Sequence, residues 1–281
     1  MRTANFRRGA ARVGVLHDRG VRVGVLLFAF VVFIAIFGSH LSSQSPYESI
    51  GIPGVGPGDG HLLGLDFEGR DVLARMLYGG ISTLTMAASA AVLVYIFGTF
   101  FGLLAGYSRS LVDPLLMRTV DVVLSIPSLL LMLLFVTGLG SSPPVMAVAA
   151  AVVMFPGAAR IVRSATLEIS TRGYVEAAVA RGETTVSTLW REVLPNILPP
   201  IAADMGLRFS WSIILIASVN FLGLGLRPPT PDWSVMISEN LVILTSNPLA
   251  VIAPASMIGL LIIGVNLICD GIIRMLNRGD R

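Results

Sequence analysis

Residues 79–107 run for 29 positions without a charged side chain, and nothing else in the sequence constrains the fold as strongly. A helix needs about 20 apolar residues to cross the hydrocarbon core of a bilayer, where no water is present to satisfy an open backbone. A run of 29 exceeds that need, so this segment is expected to tilt or to project at one end. Gly98, Gly102 and Gly106 recur along it at a spacing of four, which puts them on one helix face and lets a neighbour approach closely.

Five further apolar runs, at about 23–41, 120–139, 144–159, 209–226 and 249–268, have comparable lengths. Three of them contain a proline: Pro127, Pro156 and Pro254. Only 13% of the residues are charged, against about 25% in soluble domains. The expected fold class is therefore an all-α membrane protein with six transmembrane helices. The region after the first run, FGSHLSSQS, lacks a small-x-small cleavage site, so that run reads as an uncleaved anchor. The organisation read from these runs is a basic tail at 1–22, a first span at 23–41 and a connection at 42–78. A five-helix core at 79–271 and a short tail at 272–281 complete it. The connection is rich in Gly, Pro and Ser before DFEGRDVLARMLYGG, which reads as a short helix. Within the core lie two long polar stretches, 160–205 and 227–248. No internal repeat is evident.

All 20 basic residues are arginine. Seventeen fall in the tails and in the even-numbered connections, whereas Arg70, Arg75 and Arg227 fall on the opposite face. The positive-inside rule then puts both termini and the 160–205 stretch in the cytosol. The arginines alternate with spans and form no single basic face, so membrane lipid is an expected partner and nucleic acid is not. The absence of lysine removes Walker-type ATP binding and Schiff-base chemistry, so the chain is not expected to be an enzyme. Cys269 is the one cysteine, and His17, His40 and His61 show no ligand spacing. No metal or other cofactor is expected in the chain itself.

The 160–205 stretch is the most polar long helical pattern. Its first part, 171–181, groups Glu176, Ala177, Ala178 and Ala180 and stops at Gly182, a residue suited to the left-handed conformation that ends helices. The second part starts after a Thr184 or Thr185 cap and aligns Val186, Leu189, Trp190, Val193 and Leu194 on one face. Pro195, Pro199 and Pro200 are expected to end that helix and turn the chain toward the fifth span. Periodicity alone supports two readings equally: an amphipathic helix resting on headgroups, or a platform on which another protein docks.

Other polar residues invite a reading by position. Asp66, Glu68, Arg70 and Asp71 sit together outside and either orient a docking protein or pair among themselves. Trp233, in a proline-rich loop, reads as an interfacial tryptophan in a rigid external cap near the gate. Asn220 and Asn266 lie deeper and either line a translocation path or bond to neighbouring helices. Asp121, Asp204 and Asp270 read as anchors at span ends, with Arg118 three residues before Asp121 and within pairing distance.

Tyr174-Val-Glu176-Ala177-Ala178, with Gly182 four residues beyond the second alanine and Leu194-Pro195 twelve residues after Gly182, resembles the EAA loop of bacterial ABC-importer permeases. HLLGLDFEGRDVLARMLYGG from His61, NFLGLGLRPPTPDWSVMISEN from Asn220 and NPLAVIAPASMIGLLIIGVNLICDGIIRML from Asn247 resemble one branch, the C-type dipeptide/oligopeptide permease subunits. The resemblance implies the type I importer permease fold with a cytosolic coupling helix between spans 4 and 5. It implies a heterodimer with a homologous permease subunit and two cytosolic ATPase subunits that bind ATP and Mg. It also implies an external substrate-binding protein and a di- or oligopeptide substrate. Tyr174, Glu176, Ala177, Ala178, Arg181 and Gly182 would then couple the membrane helices to the ATPases. Arg181, Glu183 and Leu65 depart from the family pattern. Related permeases carry nickel complexes, haem or other small solutes, which is the alternative substrate reading. An intramembrane enzyme needs facing nucleophiles or metal ligands, and a gradient-driven carrier needs acids at mid-membrane. Neither pattern is evident here.

Overall fold

The computed structural model describes residues 18–58, 60–108 and 111–279, with side chains described as far as Arg274. Arg2, Arg7, Arg8, Arg12, Arg109 and Arg281 of the topology count lie outside the described residues. Helix α1 spans Arg19–Leu41, α2 Val72–Tyr107, α3 Val112–Ser125, α4 Ser128–Leu139 and α5 Pro143–Ser170. These are followed by α6 at Gly173–Ala180, α7 at Thr185–Phe221, α8 at Trp233–Asn240 and α9 at Leu249–Gly279. Five helices are long and apolar enough to cross a membrane, and six if the bent pair α3 and α4 is one span.

The expected short helix before the second span is instead the first turns of α2. Asp71 caps it by accepting from the Ala74 N–H at 2.7 Å, and the helix then runs 36 residues, about 54 Å. Gly79 and Gly80 do not break it, because tertiary packing needs their missing side chains. A Cβ on Gly80 would stand 2.6 Å from the Trp233 ring, and one on Gly79 would stand 3.2 Å from the Asp232 backbone.

The glycine face of α2 packs as its spacing predicts. Gly98 meets Ala158, Gly102 meets Val162 and Gly106 meets Thr166 of α5, each within 2.8 Å of where a Cβ would be built. Two rows at spacing four thus interlock, and α2 with α5 is the most extensive helix pair in the fold. Around them Met86, Val94, Met132, Met146, Val153, Ile197 and Val219 form one buried core. A second core joins α1, α2, α8 and α9 through Val31, Ala35, Met76, Trp233, Met236 and Leu261. Leu26, Phe30, Phe33 and Phe37 of α1 remain exposed, an apolar surface suited to lipid.

The third expected span is not a single straight helix. It divides into α3 and α4, which meet at 87°. Pro127 disfavours helical backbone at the residue before it, and Ile126 is accordingly extended, with φ −89° and ψ 129°. Helix α4 alone has 12 residues, about 18 Å, too short to cross the core. Helix α3 is tied to α5 by charge: the Arg163 guanidinium donates to both Asp113 oxygens at 2.5 and 2.6 Å, and Arg160 donates to Asp121 at 2.6 Å. Asp121 therefore pairs across to α5 and not with Arg118.

Pro195, Pro199 and Pro200 do not end a helix either. Helix α7 passes through all three and continues for 37 residues, about 55 Å. At Leu189–Val193 it widens into a π turn, and the Leu194 N–H reaches back to the Leu189 carbonyl. The hydrogen-bond register thus shifts just ahead of Pro195, which has no N–H to contribute.

Candidate functional site

Helix α6 has two turns and stands where α5 ends. It closes by a Schellman pattern: the Gly182 N–H donates to Val179 O at 2.9 Å and the Glu183 N–H to Ala178 O at 3.2 Å. That geometry requires a left-handed residue, and Gly182 supplies it with φ +83°. Two residues later Thr184 caps α7 by accepting from the Ser187 N–H. Gly182 and Thr184 thus stop one helix and start the next, as their residue types predict.

The coupling residues named above divide between two faces. Val175 and Ala178 are buried against the rest of the chain, at 1% and 0% exposure, while Tyr174, Glu176, Ala177, Arg181 and Gly182 are exposed. Ala178 shares the inward face of this short helix with Val175, because residues three apart lie on one side of it. Val179, unnamed in the sequence reading, is outward at 52% exposure. A cavity of about 870 Å³ lies beside α6, bounded by Tyr107, Leu167, Glu176, Val179 and Leu189. Arg181 and Glu183, two departures from the family pattern, pair with each other at 2.8 Å. The Arg181 hydrogen bond holds the Glu183 carboxyl below its usual range.

The opposite end of the bundle is built differently. Asp66 accepts from Arg70 Nε at 2.7 Å, from Arg75 Nη1 at 2.5 Å and from the backbone N–H groups of Glu68 and Arg70, both at 2.9 Å. Arg75 Nη1 also donates to Glu239 of α8 at 2.9 Å. Asp71, besides capping α2, lies 2.9 Å from His61 Nδ1. Burial pushes the Asp66 carboxyl up, but the Arg70 N–H and the two guanidinium groups outweigh it and hold it below its usual range. For Glu239 burial wins over the attraction of Arg75 and Arg70, and its carboxyl is raised.

Asp66, Arg70 and Asp71 were offered above as docking residues or as partners of one another. At 0%, 1% and 5% exposure they are committed to the interior, and pairing is the reading the geometry takes. Trp233 is fully buried, its indole N–H donating to Met76 O at 2.8 Å, a structural place in the external cap. Asp232 sets this corner by capping α8 and accepting from Thr83 Oγ1 at 2.7 Å. Arg75, Asp232 and Glu239 were missed as site residues. A run that alternates Asp66, Arg70, Asp71 and Arg75 is the sequence signal that a charge network is being built.

The two asparagines expected near a path serve as joints. Asn220, 3% exposed, donates to Ser234 Oγ at 2.6 Å and accepts from the Leu226 N–H at 2.9 Å. Its amide fixes the end of α7 to α8. Asn266 accepts from Ser210 Oγ at 3.5 Å, between α9 and α7. Asp204, expected as a span-end anchor, is bonded by the Tyr95 hydroxyl of α2 and by Arg208 Nε.

Residues 98–280 match the family model described as binding-protein-dependent transport system inner membrane component. The dipeptide transport system permease protein DppC of Alkalihalophilus pseudofirmus is 35% identical over 89% of this chain and 83% of its own length. DppC of Escherichia coli K12 is 36% identical over 91% of this chain and 88% of its own. The glutathione transport system permease protein GsiD of Pectobacterium atrosepticum is 36% identical over 77% of this chain and 72% of its own.

Proposed function

Because the chain belongs to the inner membrane components of binding-protein-dependent transport systems, the permease subunits of ABC importers, we propose that it forms half of a translocation path for di- or oligopeptides. The other half is a homologous permease subunit, solute arrives on an external binding protein, and two ATPase subunits holding ATP and Mg sit at the α6 end. That end, with both termini, faces the cytosol. The peptide class is supported by the relatives, which are dipeptide and glutathione transport permease proteins.

One observation carries the coupling role. A two-turn helix presents Tyr174, Glu176, Ala177 and Val179 outward at the end of a continuous 37-residue helix. An ATPase groove that grips α6 moves Gly182 and Thr184, and through them the foot of α7. Because α7 is a single rod from Thr185 to Phe221, displacement at its foot is delivered to the membrane-embedded part without an intervening hinge loop. The coupling is mechanical and needs no chemistry in this chain.

The test uses the complete transporter in proteoliposomes. Glu176→Arg reverses the one carboxylate on the outward face, and Gly182→Pro destroys the left-handed stop. Each variant is expected to insert and to pair with its partner permease, while ATPase co-purification and ATP-driven dipeptide uptake fall. Normal uptake in both variants overturns the coupling role of α6.

A further inference from the structure

A cavity of about 320 Å³ opens between α4, α5 and α7, and among the described residues Arg208 is the one charged side chain on its wall. Arg208 stands 13 residues before Phe221 at the end of α7, about 20 Å along the helix, and immediately precedes the apolar run that starts at position 209. An ionisable group at the mouth of an apolar bundle is retained where it faces the bundle interior or a watered cavity, and such groups mark solute pathways.

The arrangement around Arg208 leaves part of it unused. Its Nε donates to Asp204 at 3.0 Å, and Asp204 in turn accepts from the Tyr95 hydroxyl, so this carboxylate fastens α2 to α7. Besides Asp204 the guanidinium interacts with the Tyr95 hydroxyl, and no further hydrogen bond to Nη1 or Nη2 occurs among the described residues. They lie beside Gly157, where an added Cβ would stand 2.8 and 2.9 Å from them. Gly157 is also on the cavity wall, so α5 gives up a side chain where the guanidinium needs room. One turn further on, Trp211 shares the cavity and is 58% exposed.

We propose that this cavity is a station on the translocation path, where the free edge of the Arg208 guanidinium engages a carboxylate of the passing solute and Trp211 packs on its apolar part. The inference rests on the peptide reading above and assigns the peptide α-carboxylate as the group recognised. A planar guanidinium suits this task, since its two terminal nitrogens match the two oxygens of a carboxylate.

The test places a photo-crosslinking phenylalanine derivative at position 211 in the complete transporter and supplies radiolabelled dialanine during ATP turnover. Label is expected on this subunit, falling about tenfold with Arg208→Gln, the loss of one charge-assisted contact, and less with Arg208→Lys. Uptake in the Trp211 background should fall in the same order. The pair Asp204→Asn with Arg208→Gln removes both charges, so no buried charge is left alone. If that pair restores full uptake, Arg208 merely neutralises Asp204 and the proposal falls; a persistent roughly tenfold loss in an assembled complex supports it. Crosslinking to phospholipid in place of dipeptide also overturns it, the guanidinium then serving a lipid phosphate. If the unsubstituted transporter takes up no dipeptide at all, the peptide reading fails first and takes this assignment with it.

Discussion

The two ends of the bundle use charge in opposite ways. At the α8 end Asp66, Arg70, Arg75 and Glu239 are all at most 8% exposed and share one network. At the α6 end Arg181 and Glu183 pair in the open, and Tyr174 and Glu176 point outward. Desolvating ions is costly, and losing a partner leaves a buried charge uncompensated, so a buried network resists rearrangement. An exposed pair is screened and holds little. The α8 end is thus fixed by its own chain, whereas the α6 end leaves its polar groups exposed.

The largest effect on this contrast is expected from Asp66→Asn, which leaves two buried guanidinium groups short of their shared acceptor. A loss of about 3–5 kcal/mol is expected, read as a lower melting temperature of the purified complex and as rapid proteolysis of residues 42–71. A wild-type melting curve for this variant would mean that the α8 end is no tighter than the α6 end.

Gly182→Ala comes next. No atom lies within 4 Å of the added Cβ, so its cost arises from the φ of +83° alone, about 1–2 kcal/mol. The loss should stay local to the α6 turn and appear as reduced ATPase co-purification with little change in melting temperature. A melting shift as large as that of Asp66→Asn would erase the distinction between the ends.

Acid titration gives the third and finer test. The Glu239 carboxyl is raised, so its folded state takes up a proton more readily than the unfolded chain. Its stabilising contribution is present below the ordinary value of 4.5 and is lost as pH rises through the raised value. Asp66 has the opposite sign: its contribution is present above the ordinary 3.8 and is lost as pH falls through its depressed value. On acidification from neutrality, then, protonation of Glu239 should cost the α8 end nothing, and weakening should begin only where Asp66 titrates. Asp66→Asn should abolish that acid-side step, and Glu239→Gln should leave it in place. The smallest effect is expected from Glu183→Gln, which loosens an exposed pair and should leave both melting and uptake within error.

Much of the architecture was legible because the bilayer leaves few choices. Long uncharged runs had to be helices, and the Gly98, Gly102 and Gly106 row had to meet a close neighbour. The α6 to α7 turn was legible too, since Gly182 and Thr184 act on the backbone beside them. Which way Ala178 points was not, because a two-turn helix of small residues has no face until something packs on it. The prolines mislead for a related reason. Pro127 divides the third span as its local rule predicts, yet Pro199 and Pro200 sit inside α7, where the surrounding helices make the lost hydrogen bonds tolerable.

Residue order alone carried the helical membrane class, the row of glycines and the stop at Gly182. These follow from hydropathy, spacing and backbone preferences that act within a few residues. The tertiary structure alone decided that Asp66 meets Arg75 and Glu239, that Asn220 and Trp233 are joints of the fold, and that Arg208 stands over a cavity beside Gly157. Each of those depends on what a distant helix brings to the same point, and in a low-dielectric interior a polar group takes its role from its partners.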